Sequence, residues 1–199
     1  MEPTLNTLGT SAKELSAQAP RCAEQMQAQV AALKQFSDNI QELSSLENSL
    51  TEPYEMGEVN AGTFCESVME KAKEFIKPDV TPSVNAPKLQ VKTNKEQLER
   101  ILLYLLKNAA FYTEQGRISL DFKKRGAHTH QFIITDTGTG IPAEQQENLF
   151  KPFTQVKDLT TGDGLGLPIC SLIATKMNGS LTLDTSYTKG CRFILELHA

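Results

Sequence analysis

The chain has 199 residues, a net charge of −4 at pH 7 and 39% hydrophobic side chains, which is enough apolar material for one packed domain or two small ones. This acidic balance lacks the positive field that favours nucleic acid, and no apolar run reaches the roughly 18 residues that cross a bilayer. We therefore expect neither nucleic-acid binding nor membrane contact by this chain.

Cysteine and histidine usage favours a reducing compartment over a disulfide framework or a metal site. The four cysteines are far apart and form no CxxC pair: Cys22, Cys65, Cys170 and Cys191. This spacing, without a signal peptide at the start, is typical of reduced thiols in a cytoplasm. Only His128 and His130 lie close together among three histidines, which gives a structural zinc little support.

The first fifty residues contain one glycine and few β-branched residues, which favours helix. Apolar residues recur every three or four positions from Arg21 to Leu50 and predict one face of a long helix, close to a coiled-coil seam. Its members are Val30, Leu33, Phe36, Ile40, Leu43, Leu46 and Leu50. A shorter helix is predicted over Thr4–Gln18, and Pro20 marks a turn between the two, so the prediction is an antiparallel helical hairpin.

Two helices with apolar stripes cannot shield each other fully. We therefore expect two chains to pair as a homodimer in a four-helix bundle. The alternative is a hairpin that packs on the second half of its own chain. Pro53 and Gly57 mark a linker, which divides the sequence into a helical domain, 1–52, and a second domain, 57–199.

The second domain mixes helix and strand patterns. Helices are predicted over Thr63–Ile76, Lys95–Tyr112 and Leu165–Met177, and strands over Leu89–Lys92, Ile118–Lys123, Gln131–Asp136, Ser180–Asp184 and Cys191–Leu197. Neighbouring strand runs indicate mostly antiparallel pairing. The expected fold class is α+β, a two-layer sandwich of a mixed, mostly antiparallel sheet with helices on one face.

Two motifs in this domain place polar groups beside apolar elements. Asn108 follows the pair Leu105–Leu106 late in a predicted helix, where an ordinary surface asparagine is the alternative. Asp136 ends an apolar strand and precedes Gly138, Gly140 and Ile141–Pro142. A carboxylate there can accept a proton from an exocyclic amine while the backbone turns closely around a flat ring. A plain Asp-Gly turn is the alternative, although two glycines and a proline in one turn weigh against it.

Two further motifs follow along the chain. Leu149–Phe153 puts two aromatic rings around a proline, for which a core clamp is the alternative. Gly162, Gly164 and Gly166 lie at the opening of the predicted helix Leu165–Met177, where glycines free backbone N–H groups to face phosphates. A lone GxGxG is weak evidence, because the acidic partner of a dinucleotide loop and the Gly-Lys-Ser/Thr of a P-loop are both missing.

The four motifs in this order resemble the catalytic ATP-binding domain of sensor histidine kinases, in the GHKL ATPase superfamily. The resemblance covers nearly three quarters of the chain, from about Gly57 to Ala199. It implies that Asn108 is the magnesium-binding asparagine of the N box. It also implies that Asp136, with Gly138 and Gly140, forms the G1 box, whose aspartate binds the adenine amine.

The resemblance extends to the other motifs. Phe150 and Phe153 match the F box, and the later glycines match the G2 box, which hinges the ATP lid and contacts phosphates. Tyr112 stands where an aromatic lines the adenine pocket. Lys157 is the only basic residue of the lid expected over residues 154–161, and we expect it to approach the γ-phosphate. With ATP and Mg²⁺ as cofactors, the implied binding residues are Asn108, Tyr112, Asp136, Gly138, Gly140, Ile141, Phe153, Lys157, Gly162, Gly164, Leu165, Gly166 and Leu167.

The helical domain resembles the dimerisation and phosphotransfer domain, whose H box usually reads His-Glu-x-x-Thr-Pro-Leu-Asn. Leu5–Asn6 fits the end of that box and Pro3–Thr4 stands where Thr-Pro is usual, which places the acceptor histidine just before residue 1. The histidines of the chain all lie in the second domain. We therefore expect either a fragment cut behind the acceptor or a natural variant that lost it, and no autophosphorylation by this chain.

Three residues depart from the family pattern. Tyr104 replaces the first asparagine of the N box, Phe111 replaces a phosphate-contacting lysine, and Cys191 replaces a small hydroxyl residue. Phosphoryl transfer depends on charge neutralisation around the γ-phosphate, so ATP binding should survive these changes more readily than transfer.

The resemblance implies a cytoplasmic protein-histidine kinase module, whether or not the parent protein is membrane-anchored. It would pass the ATP γ-phosphoryl to a histidine of the helical domain and then to the receiver domain of a response regulator. The alternative is a catalytically weak nucleotide-binding scaffold or a response-regulator phosphatase or binding module, which Tyr104 and Phe111 favour.

Overall fold

The computed structural model describes the backbone of residues 2–126, 128–154 and 164–198, and the side chains of this set from Cys22 onward. The chain divides into two compact units, Met1–Gln41 and Glu42–Ala199. The predicted domain boundary at residues 52–57 stays a prediction.

The first unit lies within helix α1, which runs from Glu2 to Asn48 without a break. The predicted turn at Pro20, and with it the helical hairpin, is therefore wrong. A proline inside a helix removes one backbone hydrogen bond and costs about 3 kcal/mol. The residues around Pro20 are mostly alanine, glutamine, glutamate and leucine, which favour helix, so the helix continues through it. A four-helix bundle would need two helices from each chain, and α1 supplies one.

The apolar stripe of α1 is exposed over its part before Phe36. Met26, Val30 and Leu33 are 66%, 68% and 73% exposed, and they follow one another at spacings of four and three residues. Residues at these spacings share one face of a helix.

The second unit is built on a five-stranded sheet with the order β2–β4–β5–β7–β6. Its strands are β2 (Val80–Asn85), β4 (Gly116–Lys124), β5 (Thr129–Asp136), β6 (Gly179–Leu183) and β7 (Arg192–His198). Strands β2 and β4 pair in parallel, and the other three pairs are antiparallel. The predicted mixed, mostly antiparallel sheet is confirmed.

A two-stranded sheet and four helices complete this unit. Antiparallel strands β1 and β3 pair with each other, and a 3-10 turn, Lys73–Phe75, follows α2. The elements are β1 (Gly57–Asn60), α2 (Ala61–Ala72), β3 (Gln90–Thr93), α3 (Lys95–Tyr112), α4 (Ala143–Gln146) and α5 (Gly166–Lys176).

Two asparagines fix where helices begin. The side chain of Asn60 accepts a hydrogen bond from the Thr63 N–H at 3.1 Å, and that of Asn94 accepts one from Gln97 N–H at 2.9 Å. Each satisfies one of the free N–H groups at a helix start. The predicted bounds of α3, Lys95 and Tyr112, are therefore confirmed at both ends.

The core lies between the helices and one face of the five-stranded sheet. Along β4, the side chains of Ile118, Leu120 and Phe122 are buried while the residues between them are not. Alternate burial means that only one face of the sheet is covered. The covering side chains of α3 include Leu98, Leu102 and Leu105, which are fully buried. The expected two-layer α+β sandwich is confirmed.

The last turns of α1 belong to the second unit. Leu43 and Leu46 are buried there, and Glu42 forms a two-pronged ion pair with Arg100 of α3. Among the described residues, no helix combines the length and the apolar character that crossing a membrane requires.

Candidate functional site

Asp136 is the last residue of β5 and is only 4% exposed. Its Oδ1 atom accepts two backbone hydrogen bonds, from Gly138 N–H at 2.9 Å and from Cys191 N–H at 3.0 Å. Within the described part of the chain, Oδ2 accepts no hydrogen bond. One oxygen of the carboxyl group is therefore fixed by the protein, and the other is available to a ligand.

Burial raises the pKa of the Asp136 carboxyl above its usual value, and the hydrogen bonds from Cys191 and Gly138 oppose this rise. Burial has the same effect on the pKa of the neighbouring Cys191 thiol. Burial, with the Asp136 carboxylate beside it, raises the pKa of Cys191 to about 12, so this thiol is neutral and a poor nucleophile.

The turn after Asp136 packs against the end of α3. A Cβ atom added to Gly138 would lie 2.4 Å from the backbone oxygen of Tyr112, and that same oxygen accepts a hydrogen bond from Thr139 N–H at 3.2 Å. Only glycine allows this approach. The structure thus brings Tyr112 and the Asp136 turn together, as the resemblance implied.

The second half of the turn is held from two sides. Gly140 has φ = 70°, a left-handed conformation that favours glycine, and its position lies against the carbonyl of Gly190. The backbone oxygen of the half-buried Ile141 accepts a hydrogen bond from the Gln146 side chain at 2.8 Å. The turn is therefore shaped before any ligand binds.

Asn108 and Tyr104 lie one turn apart on α3, on the same side of the helix as Tyr112. The half-buried side-chain amide of Asn108 makes no hydrogen bond with any residue that the structure describes. The ring of Tyr104 lies against Gly166, the first residue of α5, where an added Cβ would come within 2.2 Å of three ring and hydroxyl atoms. Tyr104 therefore reaches the start of α5, where the resemblance implied phosphate contacts.

The residues before α5 close a tight loop. Phe153 N–H donates to the Gly164 carbonyl at 3.1 Å, and both residues are left-handed, with φ = 64° and 68°. A positive φ costs a non-glycine residue about 1–2 kcal/mol, so the Phe153 backbone is strained. Its side chain is 60% exposed, whereas the half-buried Phe150 ring meets Phe193 edge to face at 6.5 Å. The core-clamp alternative thus fits Phe150 and not Phe153.

Four predicted binding residues remain, and the structure describes two of them. Lys157 and Gly162 lie outside the described residues, as does most of the predicted lid. Leu165 is fully buried immediately before α5, and Leu167 is half-buried in its first turn. A side chain as buried as Leu165 contributes packing to the core, and a contact of this residue with phosphates stays a prediction.

The sequence patterns missed one residue that contacts the site. The hydroxyl of Tyr187, in the loop between β6 and β7, donates to the backbone carbonyl of Asp136 at 3.2 Å. No motif or periodicity marks this tyrosine, because it lies in an irregular loop and reaches Asp136 across the sheet edge.

The sequence of this chain is similar to that of a curated sensor protein. The aerobic respiration control sensor protein ArcB of Escherichia coli (strain K12) is 30% identical over 138 residues, which are 67% of this chain and 18% of ArcB. The chain therefore spans less than a fifth of the length of this curated relative.

Solved structures have the same fold. The histidine kinase AdeS of Acinetobacter baumannii superposes with a TM-score of 0.70 at 22% identity, covering 85% of this chain and 80% of that one. Full-length ShkA in complex with AMPPNP superposes with a TM-score of 0.71 at 22% identity, covering 83% of this chain and 35% of ShkA.

The family profile decides membership. The profile described as "Histidine kinase-, DNA gyrase B-, and HSP90-like ATPase" matches residues 93–199, which is more than half of the chain and contains the Asp136 turn and the start of α5. The predicted superfamily is thus confirmed, and this chain belongs to the histidine kinase-, DNA gyrase B- and HSP90-like ATPases.

Proposed function

We propose that the second unit binds ATP, with Asp136 at the adenine and the start of α5 near the phosphates, as the catalytic domain of a protein-histidine kinase. The observation that carries this proposal is the asymmetry of the Asp136 carboxyl group. Two backbone N–H groups hold Oδ1, and Oδ2 is left to accept a hydrogen from the exocyclic amine of adenine.

The surroundings of Asp136 fit a flat base. Because Gly138 and Gly140 have no side chains, the turn packs closely against the backbones of Tyr112 and Gly190, which places Tyr112 at the same turn as Asp136. Among the described residues none donates a hydrogen bond to Asp136 Oδ2, so a ligand amine could donate to this oxygen without displacing one of them. An adenine base would therefore give Oδ2 the hydrogen bond that the described residues do not supply.

Asn108 is the residue that we expect to bind Mg²⁺. Its amide has no partner among the described residues and lies on α3 between Tyr104 and Tyr112, and amide oxygens are ligands that Mg²⁺ accepts. When bound with ATP, this ion would neutralise negative charge on the phosphates. Asn108 alone would fill only part of the coordination sphere of Mg²⁺, so the phosphate oxygens would have to supply other ligand atoms.

The parent protein would work in the cytoplasm as a homodimer that associates through α1. It would transfer the γ-phosphoryl group to a histidine of its helical domain, and the receiver domain of a response regulator would accept the group next. The histidines of this chain do not suit that role. His128 is exposed just before β5, His130 is buried in β5, and His198 is at the end of β7, so all three lie in the proposed ATP-binding unit and none lies on α1.

Asp136→Asn tests the binding site. The side-chain oxygen of the new amide can still accept both backbone N–H groups, but its nitrogen would replace Oδ2 and face the adenine amine, donor against donor. We expect ATP affinity to fall by about 2 kcal/mol or more, roughly thirtyfold, by isothermal titration calorimetry. Asp121→Asn, a matched change on β4 where the carboxylate binds Ser119, should leave affinity unchanged. Unchanged affinity in folded Asp136→Asn would refute the site.

A second candidate is a nucleotide-binding module with little phosphoryl transfer, acting as a scaffold or a response-regulator phosphatase. Tyr104 favours it, because an aromatic ring occupies the start of α5, and so does Phe111, which is 57% exposed in place of a lysine. Adding a separate helical domain that carries an acceptor histidine discriminates the two. Transfer of γ-phosphate from ATP to that histidine supports the kinase, and binding without transfer supports the module.

A further inference from the structure

The loop between β6 and β7 encloses the backbone of Asp136. Asp136 N–H donates to the Cys191 carbonyl at 2.9 Å, and Cys191 N–H donates back to Asp136 Oδ1. Gly190, with φ = 147°, lies so close that an added Cβ would stand 2.3 Å from the Asp136 carbonyl oxygen. The backbone of the loop therefore packs directly against Asp136.

Tyr187 contacts the same carbonyl from the far end of the loop. Its hydroxyl donates to the Asp136 oxygen at 3.2 Å, and its ring lies under the guanidinium of Arg192 at 4.2 Å. Because the carbonyl oxygen belongs to the peptide group after Asp136, this hydrogen bond restrains the ψ angle of Asp136. Rotation about ψ would break the contacts of the carboxyl group with Gly138.

The guanidinium group of Arg192 is itself held by two hydrogen bonds. Its Nε donates to Thr135 Oγ1, and one terminal nitrogen donates to Asp184 Oδ2, both at 3.2 Å. Planar guanidinium groups fit such two-sided contacts, and stacking on an aromatic ring adds a further favourable interaction. Tyr187 is thus clamped in place rather than free to turn.

Asp184 ties this arrangement to the loop backbone. Its Oδ1 accepts hydrogen bonds from the Ser186 hydroxyl at 2.6 Å and the Ser186 N–H at 3.1 Å, and Tyr187 N–H donates to its carbonyl. The Ser186 hydroxyl, the Ser186 N–H and Arg192 all lower the pKa of the Asp184 carboxyl, so it is charged at neutral pH and balances Arg192. The chain of contacts from Asp184 to Asp136 is continuous.

We propose that Tyr187, clamped by Arg192, is a positioning residue that aims the free oxygen of Asp136 at the exocyclic amine and so sets the preference for 6-aminopurine nucleotides. This inference rests on the proposed ATP site. It assigns a role to a loop side chain that does not itself touch the base. Its consequence is selective: losing the Tyr187 hydroxyl should weaken recognition of the amine and not binding of the remaining nucleotide.

The test compares two nucleotides on the full 199-residue chain: ATP, and purine riboside triphosphate, which lacks only the exocyclic amine. Tyr187→Phe removes the hydroxyl and keeps the ring under Arg192. Loss of one hydrogen bond to the aiming carbonyl should lower ATP affinity about five- to tenfold and leave purine riboside triphosphate affinity unchanged. In an Asp136→Asn background, Tyr187→Phe should have no further effect on ATP, since the two residues act through one contact.

Tyr54→Phe is the matched control, because the Tyr54 ring lies against Lys176 and away from Asp136. It should bind both nucleotides as the unmutated chain does. Equal weakening of both nucleotides by Tyr187→Phe, or additive effects with Asp136→Asn, would show a merely structural role and overturn the inference. So would unchanged ATP affinity in Tyr187→Phe while Asp136→Asn still loses ATP. If Asp136→Asn loses nothing, the ATP site itself has failed.

Discussion

His130 is a buried side chain that would cost stability if it became charged. It is 6% exposed in β5, stacks on Phe122 with centroids 5.8 Å apart, and its Nδ1 atom has no hydrogen-bond partner among the residues that the structure describes. Burial lowers its pKa below the usual 6.5, and Lys124 and His128 lower it further. Protonation therefore favours the unfolded chain, where the imidazole titrates normally.

The sign of the pH dependence follows from this difference. Above a pH of about 7.5, one unit over the usual pKa, the imidazole is almost wholly neutral in both states and has little effect. As the pH falls further, the unfolded chain takes up the proton first, so stability is lost by at most about 1.4 kcal/mol per pH unit until the folded pKa is reached. As the pH falls from about 7.5 to about 5.5, we expect the free energy of unfolding to decrease less for His130→Leu than for the unmutated chain. Urea unfolding at each pH measures this free energy.

Ile133→Leu offers the control for this experiment, because it changes a buried apolar side chain of the same strand and leaves His130 in place. It should retain the full acid sensitivity of the unmutated chain. Equal loss of stability in His130→Leu and in the unmutated chain would show that His130 does not titrate as its burial requires.

Single residues of the candidate site differ in how well a sequence can reveal them. Asp136 and its two glycines were predictable, because only a close turn explains glycines placed directly after an apolar strand. Tyr187 was not predictable, since its contact is made across the sheet edge by an irregular loop. Tyr104 was noted as a departure from the family, but nothing local places its ring against Gly166.

Helices and strands were predictable where their ends carry a local signal. Helix α3 begins after Asn94, whose side chain caps it, and its bounds match the prediction. Strand β2 was missed because Pro82 interrupts its pattern; the proline is tolerated since β2 is an edge strand that pairs only with β4. The opposite error occurred at Pro20, where long flanking runs of helix formers carried α1 through the proline.

The start of α5 depends on its packing against α3. Gly166→Ala would put a methyl group 2.2 Å from the ring of Tyr104, so one helix must shift or the ring must leave. Overpacking of this kind costs about 1–3 kcal/mol, which should appear as a lower urea midpoint. Tyr104→Ala removes the ring, so the double variant should lose less than the sum of the two single losses.

Gly126→Ala is a suitable control for this pair, because nothing lies within 4 Å of a methyl group at Gly126. It should leave the midpoint close to that of the unmutated chain. Additive losses in Gly166→Ala with Tyr104→Ala would mean that the two residues are not in contact, and the start of α5 would then lie elsewhere.

The two units of the chain differ in how far their apolar side chains are buried within a single chain. The second unit has its own core between sheet and helices, whereas the first is a helix on which Met26, Val30 and Leu33 are exposed. A single helix cannot bury its own stripe, and large exposed apolar patches mark protein interfaces. The proposed homodimer would cover these residues, since the stripe repeats at spacings of four and three, as in coiled coils.

Leu33 tests this association, because it is 73% exposed within one chain and its replacement costs the single chain little. Between two chains, Leu33→Asp would bury an unpaired charge and forfeit about 1.5–3 kcal/mol of apolar burial. We expect light scattering at tens of micromolar to give about twice 22.0 kDa for the unmutated chain and a monomer for Leu33→Asp. Ala31→Asp adds the same charge about 160° around the helix and should remain dimeric. A monomeric unmutated chain, or a dimer that survives Leu33→Asp, would show that the stripe of α1 does not join two copies.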